Sequence, residues 1–569
     1  MPDVVFVTPN FNGYVSEEPV GTLLLSTILH NAGIRTKILP FYHFGDIKDF
    51  HQFIDTAVDQ ILSHNPTIVS FYTRCDTYHI SITMAQHIKR KQENVYIVFA
   101  GPQADISSLD TMQVIPEIDY ICCGEGETTV VPFFSSLLAK KPDHTIAGLV
   151  FREGNEIIQN PRPALIENLD TLPTIDYSLL EVQTTKHQPY VLGLFPVDVG
   201  RGCPFSCTFC STKSFWGRKY RLKSNDRIIA EIKHIHDLFG VTSFNFVHDM
   251  FTMNKKRVLQ ICDELVNIGF PITWRCSARL DCLDNELIDA MAASGMTSIF
   301  IGIESGSPQM QRKINKNLKL DNIIEKLTYM SAKGIEITTS FIFGFPDETE
   351  SELEQTIALM VQLCKLPSVH IQHYLCAFFA GTEITRQYMH DLQMASVFSD
   401  TTGEIAVNEC RELIAANPKL FPHYFEYRSE LRDRAKYYKQ FFDCWVAARP
   451  VYEYIALKHY DNHYCSMLDD FTSSNYAILC EGKSTTEILR QGSFLDRFSD
   501  DPYYTQLKEA TRFFVWKRDP HTASREIFEC DVKALLDGSD IPSLKSSLTM
   551  ATYTRDSSGS QAIKLHVLR

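Results

Sequence analysis

The run Arg201-Gly202-Cys203-Pro204-Phe205-Ser206-Cys207-Thr208-Phe209-Cys210 carries the sharpest chemistry in the chain. Spacings of four and three let one loop offer three thiolates to a cubane iron–sulfur cluster, leaving one iron without a protein ligand. An open iron can chelate a small molecule and hand it an electron. The competing reading is a zinc knuckle, which needs a fourth Cys or His close by. None follows at suitable spacing, so Cys203, Cys207 and Cys210 are the candidate cluster ligands.

The elements around the loop have a pattern that can position it. From Pro196 onward, six strand-like runs alternate with amphipathic helical stretches, ending at Val369–Leu375. Six such units predict a partial (β/α)6 barrel over residues 191–390, with the cysteine loop at the end of its first strand. In parallel architectures of this kind chemistry gathers at the C-terminal strand ends. Upstream, Val4–Thr8, Thr36–Leu39, Ile68–Tyr72, Val95–Ala100 and Tyr120–Cys122 are short apolar runs separated by helical stretches. They predict a parallel sheet covered on both faces, a doubly wound Rossmann-like domain over residues 1–145. A hairpin around Glu153-Gly154-Asn155 and a proline-bearing linker fill residues 146–190. Residues 391–569 read as a mostly helical C-terminal domain, with Leu431–Arg449 helical and Asn475–Leu489 mixing a strand-like run with a helix. That domain contains no legible motif and is the expected place of substrate selection.

With these motifs in order, the barrel resembles the radical S-adenosylmethionine (SAM) superfamily, whose signature is three cysteines at this spacing with an aromatic residue, here Phe209, before the last. Further resemblance lies in Val247-His248-Asp249-Met250-Phe251, Trp274-Arg275-Cys276-Ser277-Ala278-Arg279, Gly302-Ile303-Glu304-Ser305-Gly306 and Phe343-Gly344-Phe345-Pro346 at successive strand ends. Phe379-Ala380-Gly381-Thr382 departs from the family's Pro-Gly-Thr by an alanine. The resemblance implies a [4Fe–4S] cluster and a SAM site made by Phe209, His248, Asp249, Ser277, Arg279, Glu304, Phe343 and Gly344. Glu304 would accept ribose hydroxyls, and Arg279 would hold a carboxylate. His373 and Tyr374, at the sixth strand end, are the candidate catalytic residues.

The N-terminal domain is similar to the cobalamin-binding domain fused to many of these enzymes. The similarity rests on Pro9 and Gly21 around the first helix, Gly101-Pro102-Gln103, Gly124-Glu125-Gly126-Glu127, and the junction Glu167-Asn168-Leu169-Asp170-Thr171-Leu172-Pro173. It implies cobalamin as cofactor, with Asn10, Asn12, Thr73, Arg74, Gly101, Pro102, Gln103, Gly124, Glu125, Gly126 and Glu127 at its site, the glycines allowing close backbone approach. The Asp-x-His-x-x-Gly string that ligates cobalt through histidine is absent. The loop Thr73-Arg74-Cys75-Asp76 would instead face the lower side of the corrin.

Together the resemblances imply a cobalamin-dependent radical SAM methyltransferase acting on an unactivated carbon of a biosynthetic intermediate or peptide. A low-potential reductant such as flavodoxin or ferredoxin would supply electrons. The same scaffold also hosts non-methylating rearrangement, cyclisation and sulfur insertion. A tRNA methylthiotransferase would need three more N-terminal cysteines, and Cys75, Cys122 and Cys123 are poorly spaced for that. A cobalamin sensor would leave the cysteine loop without a purpose. A formal net charge of −14 in 569 residues disfavours a nucleic-acid partner. No apolar run is long enough for a membrane span, and no secretory signal is apparent. Sixteen cysteines in a chain of this size fit a reducing cytoplasm better than a disulfide scaffold. Isolated ones such as Cys262, Cys364, Cys444 and Cys480 read as small buried hydrophobes.

Overall fold

A seven-stranded sheet fills the N-terminal region of the computed structural model, built from β1 (Val4–Val7), β2 (Thr36–Leu39), β3 (Ile68–Tyr72), β4 (Tyr96–Ala100), β5 (Tyr120–Cys122), β6 (Leu149–Glu153) and β7 (Glu156–Gln159). The structure describes residues 1–9, 11, 20–39, 47–179, 194–395, 404–481 and 483–518, then 525–530, 534, 541–543, 546–555 and 561–568. Spatial order is β2-β1-β3-β4-β5-β6-β7, the first five parallel and the hairpin β6–β7 added antiparallel beside β5. All four residues of β1 are buried, as a strand covered on both faces requires. The order reverses between β1 and β3, and ligands of doubly wound sheets bind in the crevice outside that switch point. Gly101 closes the end of β4. Its φ is +96°, and a Cβ there would lie 2.7 Å from the Thr73 carbonyl oxygen. The close approach this glycine permits is therefore to the backbone after β3.

The second sheet holds β8 (Phe195–Asp198), β11 (Ser243–Val247), β12 (Thr273–Ala278), β13 (Met296–Glu304), β14 (Glu336–Phe343) and β15 (Val369–Leu375), in the sequential order of a partial barrel. A two-stranded ribbon, β9 (Gly200–Arg201) with β10 (Arg221–Leu222), brackets the cysteine loop. Helices between the strands carry the caps that their sequences offer. Ser224 caps Asn225–Phe239, Asn254 caps Lys255–Val266 and Asp284 caps Asn285–Ala293, each side chain accepting a backbone N–H.

The chain divides into two compact units. The first comprises residues 1–304, 308–342 and 365–428, so the boundary expected near residue 390 lies inside it. Within this unit the segment after the barrel packs on the N-terminal sheet. Ala406, Val407, Cys410, Ile414, Leu420, Phe421 and Tyr424 join the core made by Phe53, Ile54, Val58, Phe71, Tyr78 and Phe99. His423 and His79 are buried in this layer, with the Tyr424 hydroxyl 3.2 Å from His79 Nδ1. The second unit comprises residues 305–307, 343–364 and 429–569. It contains the helix Glu350–Leu363, started by a Thr349/Glu352 capping box, and an aromatic core of Phe441, Trp445, Tyr452, Phe471 and Phe494. Two expectations are corrected there. No strand lies among the described residues of Asn475–Leu489: its start ends the helix Tyr464–Cys480, whose buried Met467, Leu468, Phe471, Asn475 and Leu479 recur at helical spacing, and Thr485–Gln491 is a second helix. Cys480 is exposed at its end rather than buried. A three-stranded antiparallel sheet (Arg525–Cys530, Ser546–Arg555, Gln561–Leu568) closes the chain.

Burial pushes both His79 and His423 down to about 3, so each stays neutral in the fold and gains a proton on unfolding below its ordinary value of 6.5. The stability they allow is present above pH 6.5 and lost as pH falls from there toward 3. Each removes about 1.4 kcal/mol per pH unit in that window. Melting midpoints measured between pH 7 and 5 will fall accordingly. His423→Phe, which keeps the ring against Tyr424 and Phe379, will remove its own share of that pH slope, about 1.4 kcal/mol per pH unit.

Candidate functional site

One cavity of about 1040 Å³ joins the C-terminal ends of both sheets of the first unit. That volume lies at the upper end of small-molecule sites. From the N-terminal sheet its wall takes Tyr72, Ala100, Gly101, Pro102, Cys122 and Gly124 to Glu127. From the barrel it takes residues 245–250, 275–279 and 298–300, with Thr338 and Gln372. Along β11 and β12 the half-buried Asn245, Val247, Arg275 and Ser277 alternate with the buried Phe244, Phe246, Trp274 and Cys276. Such alternation is what a strand with one face to a lumen produces.

Cys203, Cys207 and Cys210 all line this cavity. The loop that carries them is held by its backbone. Gly202 has φ +84°, and a Cβ would lie 2.0 Å from the Lys219 carbonyl oxygen, so only glycine fits beside the returning ribbon. The Thr208 N–H donates to the Ile314 carbonyl at 3.0 Å, and Cys210 N–H to the Cys207 carbonyl at 3.2 Å. Burial pushes the Cys203 thiol up to about 11, and it raises Cys207 despite the nearby Lys316 ammonium. Among the described residues no three His, Cys, Asp or Glu converge on a single metal ion. Three thiols spread over one wall, with no fourth donor, suit a cubane in which each thiolate takes a different iron.

Glu304 ends β13 with φ +68°, a left-handed backbone that a glutamate adopts only at a cost of roughly 1–3 kcal/mol. Its Oε1 accepts from Lys316 Nζ at 2.8 Å, while Oε2 is buried with no partner among the described residues. A buried carboxylate oxygen left open on a cavity wall fits a hydroxyl-bearing ligand such as a ribose. His248 Nδ1 accepts the Met250 N–H at 2.6 Å, which leaves its proton on Nε2. Burial pushes it down to about 4, so it is neutral at ordinary pH. The Arg279 guanidinium forks onto Asp281 at 2.8 and 3.0 Å, donates to the Lys316 carbonyl and lies 3.8 Å from the Phe205 ring centroid. Asp249 accepts from Thr212 at 3.3 Å. Phe209, Ser277 and Arg279 also face the cavity.

Other expected site residues are placed elsewhere. Gln103 turns into the protein, donating to the Leu420 carbonyl at 2.9 Å. Thr73 bonds the Ala100 carbonyl, and Arg74 pairs with Asp76. From β15 the wall takes Gln372 rather than His373 or Tyr374, and the Tyr374 hydroxyl donates to Gln372 at 2.9 Å. Phe343 and Gly344 belong to the second unit, where Phe343 packs on Tyr438 and the Gly344 N–H donates to Glu348 at 2.7 Å. Asn10 and Asn12 lie outside the described residues. Lys316, Arg275, Phe300 and Gln372 line the cavity without being among the expected site residues; the period of two along the strands is the signal that could have found the last three.

The radical SAM superfamily profile matches residues 197–360, and a B12 binding domain profile matches residues 12–133. An uncharacterized methyltransferase of Pyrococcus horikoshii is 32% identical over 324 residues, covering 57% of this chain and 70% of the relative. The chain belongs to the B12-binding radical SAM enzymes. This enzyme is also 24% identical to the cytidylyl-2-hydroxyethylphosphonate methyltransferase of Streptomyces wedmorensis, over 58% of this chain and 69% of that one. It spans 58% of the anaerobic magnesium-protoporphyrin IX monomethyl ester cyclase of Cereibacter sphaeroides, at 25% identity. The fold matches the cobalamin-dependent radical SAM enzyme OxsB with aqua-cobalamin bound, at TM-score 0.61 and 15% identity, covering 92% of this chain and 81% of that one. It also matches the radical SAM methyltransferase TsrM of Kitasatospora setae with cobalamin and a [4Fe–4S] cluster, at TM-score 0.56 and 16% identity, covering 70% and 81%. The enzyme's cofactors are accordingly a [4Fe–4S] cluster, SAM and cobalamin. No helix among its described residues is long and apolar enough to cross a membrane.

Proposed function

We propose that this enzyme moves a methyl group from SAM, by way of cobalamin, to an unactivated carbon of a small biosynthetic intermediate. The observation that carries this reading is the single cavity shared by the crevice of the N-terminal sheet and the cysteine loop. The cluster supplies the electron that cleaves SAM, and cobalamin supplies a cobalt nucleophile that carries methyl. In this reading Cys203, Cys207 and Cys210 hold the cluster, and Glu304 Oε2 takes a ribose hydroxyl. Neutral His248, with Ser277, Asp249 and the ring of Phe209, borders the rest of SAM. Gly101, Pro102, Gly124, Gly126 and Glu127 border cobalamin. The apolar face of Phe300 and the polar groups of Arg275 and Gln372, deeper in the lumen, receive the substrate.

Purified enzyme supplied with hydroxocobalamin will retain about one equivalent through gel filtration. Its cobalt(II) form will show no nitrogen superhyperfine splitting in electron paramagnetic resonance, because the histidine-ligating loop is absent. Enzyme that passes no cobalamin through the column refutes the reading.

A further inference from the structure

Two arginines stand side by side at the entrance to the cysteine loop. Arg201 and Arg221 are direct partners across the antiparallel ribbon β9–β10, and Arg201 precedes Cys203 by two residues. Both are buried, and like charges placed opposite each other on neighbouring strands repel. What holds them is a carboxylate from the other sheet. Glu125, in the loop after β5, accepts from Arg201 Nη1 at 2.6 Å and from Arg221 Nη1 at 2.8 and 2.9 Å. Its side chain is 1% exposed and also accepts the Ile166 N–H at 2.6 Å, while Arg221 donates to the Ile166 carbonyl at 2.7 Å. Glu127 takes the second amino group of Arg201, balancing two positive charges with two negative ones. The Trp216 ring covers both guanidiniums, 5.4 and 5.8 Å from its centroid.

Such a network is a poor way to gain stability, since buried ion pairs lose in desolvation much of what they gain in attraction. What it does achieve is directional. Enclosed, charge-assisted hydrogen bonds from Arg201 Nη1 and Arg221 Nη1 to one carboxylate tie together two loops that are 76 residues apart in sequence. One of them borders the crevice of the N-terminal sheet, and the other bears the three thiols. Arg221 Nε and Nη2 are buried with no partner among the described residues.

We propose that Glu125 is a positioning residue that, through Arg201 and Arg221, sets the cluster loop against the cobalamin crevice. This rests on the proposed function for the presence of both cofactors, but it assigns Glu125 to the protein's own geometry and not to contact with cobalamin. The same side chain was expected at the cobalamin site from its motif alone. Its two carboxylate oxygens are instead occupied by arginines and a backbone amide.

The test compares wild-type enzyme with Glu125→Gln and with the triple variant Glu125→Met/Arg201→Met/Arg221→Leu, which replaces the network by apolar packing of similar size. Iron, cobalamin and melting temperature are measured first. The spin relaxation of cobalt(II) by the reduced cluster is then read by pulsed electron paramagnetic resonance. Both variants are expected to bind cobalamin and four irons, with the triple variant melting close to wild type. In both, cluster-enhanced relaxation of cobalt(II) will weaken and its distribution broaden. Formation of S-adenosylhomocysteine will fall by about 10- to 100-fold, as a misplacement near 1 Å entails. Wild-type relaxation and product formation in a loaded triple variant would overturn the proposal, as would loss of cobalamin from Glu125→Gln with its iron and melting temperature unchanged. If Glu125→Gln fails to fold, the triple variant alone decides between these outcomes. Should the triple variant also fail to fold, the network is structural and the proposal falls. A wild-type enzyme that holds no cobalamin fails the proposed function instead, before any variant is compared.

Discussion

Replacing Cys203, Cys207 and Cys210 together by alanine will lower iron from about four per chain to near zero and abolish 5′-deoxyadenosine formation. The size of the effect follows from the donor set. No other described His, Cys, Asp or Glu group is arranged to hold a metal ion, so nothing remains to retain a partial cluster. The loop itself will persist in the variant. Its conformation is fixed by Gly202 against Lys219, by backbone bonds to Ile314 and by the Arg201 clamp, none of which uses a thiol. Cys203, its thiol pushed up to about 11 by burial, is protonated in the cluster-free protein, so cluster binding must displace a proton. The variant will therefore melt with the cluster-free wild type, below the loaded enzyme, because a ligand that binds only the folded state stabilises it. A variant that still carries four irons refutes the ligand assignment.

Glu304 has the second largest expected effect, and the ion pair with Lys316 decides which substitution can reveal it. Glu304→Ala removes the open Oε2, and charged hydrogen bonds are worth about 1.5–3 kcal/mol each, so SAM binding will weaken by about 10- to 100-fold. The same change strands the buried Lys316 ammonium, and breaking a buried pair costs roughly 3–5 kcal/mol. Alanine alone therefore confounds the two roles. Glu304→Gln keeps an acceptor near Lys316 and will hold its iron while losing about tenfold in SAM affinity. The double variant Glu304→Ala/Lys316→Met will recover melting temperature but not SAM affinity. Titrating SAM into each, with iron content measured alongside, checks both statements. A folded, iron-loaded double variant that binds SAM as tightly as wild type would refute the ribose role.

The elements that carry these side chains were legible for physical reasons. Strands covered on both faces read as short apolar runs, as β1 and β3 do, whereas β11 and β12 of the barrel alternate buried and half-buried residues, and both kinds fell where such patterns occur. The thiol loop was legible because its spacing is local. Glu304 was legible as a strand-end carboxylate, but its partner was not. Lys316 reaches it only through the turn at Asn315 and Asn317, both with positive φ, and no short-range pattern announces that return. The clamp of Glu125 on Arg201 and Arg221 was equally hidden, since charges so far apart in sequence carry no sign of their pairing. The strand-like run expected within Asn475–Leu489 was misleading because a few apolar residues in a row have no period of their own. The helix is set by Met467, Leu468, Phe471 and Asn475 before it. Nor does anything in residues 404–428 say which sheet they cover. Their apolar faces suit any core, and only the fold shows them against Phe53, Ile54 and Tyr78.

Methyl transfer to an unactivated carbon requires two uses of SAM by one chain. The measurement that tests it most directly is the product set of anaerobically reconstituted enzyme, loaded with iron, sulfide and hydroxocobalamin, reduced and given SAM alone. Both S-adenosylhomocysteine and 5′-deoxyadenosine are expected, the first only when cobalamin is present and the second only when the three cysteines are intact. Enzyme that carries both cofactors and yields 5′-deoxyadenosine but no S-adenosylhomocysteine would contradict methyl transfer and favour a rearrangement on the same scaffold.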